Sequence, residues 1–225
     1  MVVLWITDKP NLQKVIMKKT LVQGAITILL FFSLFFSISQ IDWVSIFKIK
    51  MKTDATEEKV GNLFWDIFEK SEKECKNKRV IGSVDSICNL ICSANHIDRK
   101  KIKIHVVYKD EVNAFALPNG HLVIYSGLIM NTENEEELAG VMCHEIGHIE
   151  LNHVMKKLIK ETGLSVLISM TSGNVSSEVI KKAIKSITSS AFDRSLEKEA
   201  DIKAVDYLVN AKINPEPFEI GRAHV

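Results

Sequence analysis

The chemistry of this chain is concentrated in His144-Glu145-Ile146-Gly147-His148. Two histidines four residues apart on a helix lie on one face, one turn apart, so their rings can converge on a single metal ion. Glu145 follows the first histidine directly, about 100° around the helix, which sets its carboxylate beside such an ion and not on it. Two imidazole ligands and an adjacent general base form the layout of zinc-assisted hydrolysis. The plain alternatives are chance, or a pair of satisfied core histidines. The surroundings weigh against both. Glu135, Glu136 and Glu137 fill a first helical turn, where carboxylates suit the positive end of the dipole. Asn134 with Glu137, or Thr132 with Glu135, can form a capping box. Val141, His144, His148 and Leu151 make one stripe, and Leu138, Met142, Glu145 and Ile149 the next, which turns the motif toward the interior.

A third ligand is needed to leave one open position in a tetrahedral site. Arg194-Ser-Leu-Glu197-Lys-Glu199-Ala200-Asp201 opens another helix, on which Glu197 and Asp201 share a face. Like charges at that spacing repel by a few tenths of a kcal/mol unless a cation lies between them. Glu197 can complete a His-His-Glu set around one Zn2+ per chain. Asp201 can accept the ring N–H of a ligand histidine and fix its tautomer. The alternative is a solvated face held by Glu-Lys pairs. His153 stands five residues past His148, about 140° off the ligand face, and is set aside as a ligand. The metzincin spacing fails too, because Leu151 occupies its glycine position.

The positioning elements are mainly helical. Apolar periodicity predicts helices from Asp54 to about Lys76 and over Ser83–Ala94. Ile102–Val107, Val112–Leu117 and His121–Ser126 read as strands; Pro118-Asn119-Gly120 makes the last two a hairpin. The metal-binding helix is expected to run on through Leu151 toward Leu158. Leu164–Met170 and Val179–Ile187 are further helical candidates, most simply core. The fold class is therefore α+β, a helical domain with a small antiparallel sheet. An edge strand of such a sheet can add an extended peptide by backbone hydrogen bonds.

Upstream, Leu21–Ile38 is an uncharged run of 18 residues, rich in Leu, Ile and Phe. That exceeds the core of a cleaved signal peptide and approaches the ~20 residues that span a bilayer. With Trp43 at the interface, residues 21–43 read as an uncleaved signal anchor or transmembrane helix. Residues 1–20 precede it, and Met17-Lys-Lys-Thr resembles a true start, so the first sixteen read as an upstream extension of the frame. Lys9, Lys14, Lys18 and Lys19 before the span, against Lys48, Lys50 and Lys52 after it, bias the N-terminus inward and the domain outside the cytoplasm, on the periplasmic side. Lys+Arg 29 against Asp+Glu 28 gives no electrostatic case for nucleic acid. Four cysteines in 225 residues, with no Cys-x-x-Cys, make neither a disulfide framework nor a zinc ribbon. Oligomeric state is not legible.

Taken together, Asn113-Ala-Phe-Ala-Leu-Pro-Asn-Gly-His121, Tyr125-Ser-Gly-Leu-Ile129, His144-Glu-Ile-Gly-His148 and Arg194-x-x-Glu197-x-Glu-Ala-Asp201 resemble the membrane-associated zinc endopeptidases that include HtpX, BepA and the type I CaaX prenyl proteases. The resemblance covers roughly residues 54–217, within a metallopeptidase domain expected over residues 54–218. It implies a gluzincin metallopeptidase domain and a polypeptide substrate held along Asn113, Ala114, Phe115, Ala116 and Leu117. Glu197 is then the third ligand, and envelope protein quality control the setting. Asp193 stands where the family more often has Ser. The family also continues past Asn214-Pro215 with a further helix and a His-Pro motif. Residues 219–225, with Ile220-Gly-Arg-Ala-His-Val225, match the translation of common sequencing-adapter DNA, so the natural domain is expected to be truncated near Phe218. A competing reading is a zinc-stabilised chaperone that holds extended chains uncut, although such a protein has no need of Glu145.

Overall fold

The computed structural model describes residues 9–39, 54–189 and 192–218, in two units divided after Lys50. The expectations for residues 1–8, Trp43 and 219–225 lie outside the described residues. The first unit is helix α1, Lys9–Ser39. Its stretch Ile16–Phe36, 21 residues of mean hydropathy 1.7, is long and apolar enough to cross a membrane, a test a signal sequence also passes. Leu21, Leu29, Phe31 and Phe36 are all exposed, apolar around the helix and not along one stripe.

The second unit is built on a three-stranded sheet: β1 (Lys103–Val107), β2 (Ala114–Leu117) and β3 (His121–Tyr125), in the order β1-β3-β2. Asn119 and Gly120, at φ of 63° and 70°, make the β2–β3 turn. A Cβ at Gly120 would also strike the Lys101 carbonyl. The hairpin pairs antiparallel, Leu117 with His121 and Phe115 with Val123. The sheet as a whole is mixed and not purely antiparallel, since β1 runs parallel to β3, with Val106 opposite Ile124. The cause is the link after β1, which passes over the end of β3 and so leaves the central place open for it. Lys109 O accepts from Gly127 N–H at 2.8 Å and Asn113 O from Tyr125 N–H at 3.0 Å. The outer edge of β1 is closed by a bridge between Glu74 and Val107. The outer edge of β2 pairs with no strand among the described residues.

Both faces of the sheet are covered, and β3 is buried throughout. Leu122 and Ile124 pack with α3 (Lys78–Ala94), α5 (Glu135–Glu150) and α9 (Arg194–Asn210) through Ile91, Met142, Ile146 and Leu208. Val123 and Tyr125 point the other way, into a cluster with α2 (Asp54–Glu69), α6 (His153–Thr162), α7 (Leu164–Thr171) and α8 (Ser177–Ser189). The short α4 (Ser126–Asn131) leads from β3 to α5. The predicted elements are thus present, with two corrections. Helix α2 ends at Glu69 and not near Lys76, since Glu74 bridges to Val107 instead. The metal-motif helix stops at Glu150, where Asn152 adopts a left-handed conformation, φ 55° and ψ 31°, and α6 starts anew at His153. Left-handed backbone is costly for most residues and mild for Asn, whose side chain substitutes for lost backbone partners.

Candidate metal centre and active-site cleft

Helix α5 begins as its sequence requires. The Asn134 side chain accepts from Glu137 N–H at 2.9 Å, and Glu137 Oε2 accepts from Glu133 N–H at 2.8 Å. Leu138, Met142 and Ile146 anchor one side of the helix in the core. His144, Glu145 and His148 are then buried, at 7%, 9% and 1% exposure. Helix α9 lies along α5 and brings Glu197 and Asp201 to the histidines. His144 Nε2 is 2.9 Å from His148 Nε2 and 3.4 Å from Glu197 Oε2, and His148 Nε2 is 4.0 Å from Glu197 Oε1. A tetrahedral zinc with ligands at ~2.0–2.1 Å sets its donor atoms about 3.3 Å apart, so these three side chains come within about 0.7 Å of the spacing that a metal ion needs. Two imidazoles and a carboxylate are also the donor types such an ion takes.

The hydrogen bond from His144 holds the Glu197 carboxyl down at about 2, against the upward push of burial, and Phe192 N–H donates to Glu197 Oε1 at 3.0 Å. Asp201 Oδ1 lies 2.9 Å from His144 Nδ1, on the ring edge away from the cluster. The Cys143 thiol, wholly buried, is pushed up by that burial and stays protonated, as expected of a core residue. All four cysteines are free thiols.

A cleft of about 340 Å³ opens onto the cluster, lined by His144, Glu145, His148 and Glu197, by Asn113, Ala114 and Phe115, and by the end of α8. Of the five residues expected to receive a substrate, the first three line it. Ala116 and Leu117 are buried at 1% and 0%. Asn113 lies just before β2, within the segment expected as strand.

The family question is decided by a match to the model of peptidase family M48 over residues 79–219. The chain belongs to peptidase family M48. Among its M48 relatives, the metalloprotease LoiP of Escherichia coli (strain K12) is 34% identical over 146 residues, 62% of this chain and 56% of LoiP. The beta-barrel assembly-enhancing protease of Yersinia pestis is 30% identical over 141 residues, 56% of this chain and 28% of that protein. The metalloprotease YcaL of E. coli (strain K12) is 32% identical over 129 residues, 54% of this chain and half of YcaL. The chain thus spans between about a quarter and just over half of these relatives. The M48 match takes in both motif helices, α5 and α9, and the sheet between α3 and α5.

Sequence reasoning missed three groups of the M48 centre. Phe192 stacks on the His148 ring at 4.0 Å between centroids and 18° between planes. Lys157 Nζ lies over the Phe192 ring, 4.5 Å from its centroid, and donates to Ile187 O at 3.3 Å. His153 faces His148 through Nδ1 at 3.1 Å and Glu199 through Nε2 at 3.2 Å. It lies outside the candidate group of His144, His148 and Glu197 but touches His148. The only cue in the sequence was Asn152, a residue tolerant of left-handed backbone.

Proposed function

We propose that this chain is a zinc-dependent endopeptidase, anchored to a membrane through α1, that hydrolyses peptide bonds of extended or misfolded polypeptides in membrane or envelope protein quality control. The observation that carries the reading is the meeting of three ligand-type side chains, the Glu145 carboxyl and the start of an unpaired sheet edge in one cleft. The names of the relatives, all proteases and one of them tied to β-barrel assembly, support the reaction and the setting.

In this reading His144, His148 and Glu197 hold one Zn2+. When bound there, the ion supplies Lewis acidity, bringing the pKa of a water it holds toward neutrality and polarising a carbonyl. The rest is done by side chains and backbone. Of the Asn113–Leu117 segment, the Asn113–Phe115 stretch that lines the cleft takes an extended substrate as an added strand, with backbone hydrogen bonds fixing its register. Glu145, buried at the cleft wall, accepts the proton of the attacking water and delivers it to the leaving amine. Asp201 accepts the Nδ1 proton of His144, which leaves the lone pair at Nε2.

Glu145→Gln in the full-length gene product tests the proposal. The amide keeps the size of the side chain and loses its basicity, so cleavage of an unfolded polypeptide should fall at least about a hundredfold. Zinc content should stay at one per chain, while His144→Ala and His148→Ala lose the metal. Equal cleavage by wild type and the Gln variant would remove Glu145 as the base. Binding of unfolded chains with no cleavage by either would favour the chaperone.

A further inference from the structure

The second ligand histidine has its own hydrogen-bonded support, which differs from that of the first. His144 meets a carboxylate directly, through Asp201 at 2.9 Å. His148 meets one only through another imidazole: His148 Nδ1 lies 3.1 Å from His153 Nδ1, and His153 Nε2 lies 3.2 Å from Glu199 Oε2. We infer that His153 is a positioning residue for His148, and that Glu199, through His153, fixes the tautomer in which His148 Nε2 carries its lone pair toward the metal cluster. This rests on the ligand reading above and deepens it.

Donors and acceptors alternate along this series of side chains. An ionised carboxylate only accepts, so His153 must donate from Nε2. A neutral imidazole has one N–H, so His153 Nδ1 is then an acceptor, in a ring that is wholly buried. Two facing ring nitrogens make a hydrogen bond only if one carries the proton, so His148 must donate from Nδ1. Its Nε2 is left with a lone pair, and Nε2 is the atom that meets His144 and Glu197. Any break in the series lets His148 turn its proton to Nε2, where it cannot bind a metal. The ring plane is held independently, by Phe192 stacked on its face. His153 therefore supplies the choice of tautomer and the in-plane aim. The left-handed Asn152 carries the chain back so that a residue five positions past His148 faces it.

Zinc affinity of the full chain, measured by competition with a chromophoric chelator, tests the inference. It is paired with thermal unfolding of the metal-free protein and long-range 1H–15N spectra of its histidines. In the metal-free wild type His148 should appear as the Nδ1–H tautomer. His153→Leu fills the space without an acceptor and should lower zinc affinity about 10–100-fold, the usual range for a partner of a ligand histidine. His153→Asn restores an acceptor near the Nδ1 position and should recover most of that loss. Should the Leu variant fail to fold, Glu199→Gln still decides the matter: its side chain is 54% exposed, and zinc affinity should fall about tenfold with metal-free unfolding unchanged. A merely structural His153 would lower the unfolding temperature equally in the Leu and Asn variants and leave affinity alone, which would overturn the inference. Wild-type His148 found as the Nε2–H tautomer would overturn it as well. Zinc retained at full affinity by His148→Ala would sink the ligand assignment itself, a result separable from failure at His153.

Discussion

His121 is 4% exposed on β3, and its Nδ1 lies 2.9 Å from His105 Nε2. His105 Nδ1 continues to Glu74 at 3.1 Å, and its ring stacks on Trp65 at 3.4 Å. Burial, aided by the charges of His105 and Lys103, pushes the His121 imidazole down to about 3, and burial lowers His105 too. An unfolded histidine titrates near 6.5. Between those values the unfolded chain binds more protons than the folded one, so stability is complete above pH 6.5 and declines as pH falls toward 3. For His121 alone the decline from pH 6.5 to 5 is about 2 kcal/mol. His121→Val should flatten the pH dependence of the denaturant midpoint by roughly that amount, both proteins being measured with chelator present. A parallel shift at all pH values would mean that His121 does not titrate as described. Neither this pair nor the His148–His153 pair was legible in the sequence. The pairs His144/His148 and Glu197/Asp201 were, because i, i+4 spacing on a helix is a local rule that survives any packing; that the two pairs meet was implied only by the family resemblance. Contacts between rings on different elements obey no such rule.

Among the elements, the same division holds. Helices α2, α3, α5 and α9 were readable because each carries an apolar stripe that matches the helical period. The strands were readable from alternation and from the Asn119-Gly120 turn. The parallel pairing of β1 with β3 was not, because strand order depends on how the link from Tyr108 to Asn113 crosses β3, and that link has no period to read. The break at Asn152 was missed for a related reason: Leu151, Asn152 and His153 each tolerate a helix, and only packing of α6 against α8 makes the turn worthwhile. Its consequence can be measured. Asn152→Val places a β-branched residue at φ 55° and should destabilise the domain by ~1–2 kcal/mol, while Asn152→Gly should be near neutral. The Val variant should also lose zinc affinity, since His153 would shift away from His148. Equal denaturant midpoints for the Val and Gly variants would show that the left-handed link is not what holds α6.

For the whole molecule, the N-terminal helix is the element that bears on membrane attachment. Leu, Ile, Phe and Val make up eleven of the residues from 21 to 36. At ~0.3–0.6 kcal/mol each, they favour insertion by about 5 kcal/mol. Ile16–Phe36 is about 30 Å long as a helix, which matches a bilayer core. Lys18 and Lys19 sit at one end, where their side chains can reach the interface. The full chain should therefore stay with the membrane pellet through high salt and alkaline carbonate, without losing its N-terminal segment. Replacing Leu29 and Phe32 with Asp adds about 6 kcal/mol of insertion cost and removes two favourable residues, which reverses the sign of the balance. That variant should appear in the soluble fraction with its zinc content unchanged. A wild-type chain recovered as a shorter soluble form would instead make the segment a cleaved signal. We propose a side from the lysines, four before the apolar run and three after it, a slight bias toward a cytoplasmic N-terminus. An alkaline phosphatase fused after Lys52, which folds only outside the cytoplasm, should be active. An inactive phosphatase, together with a fluorescent cytoplasmic reporter at the same position, would put the peptidase domain on the inner side.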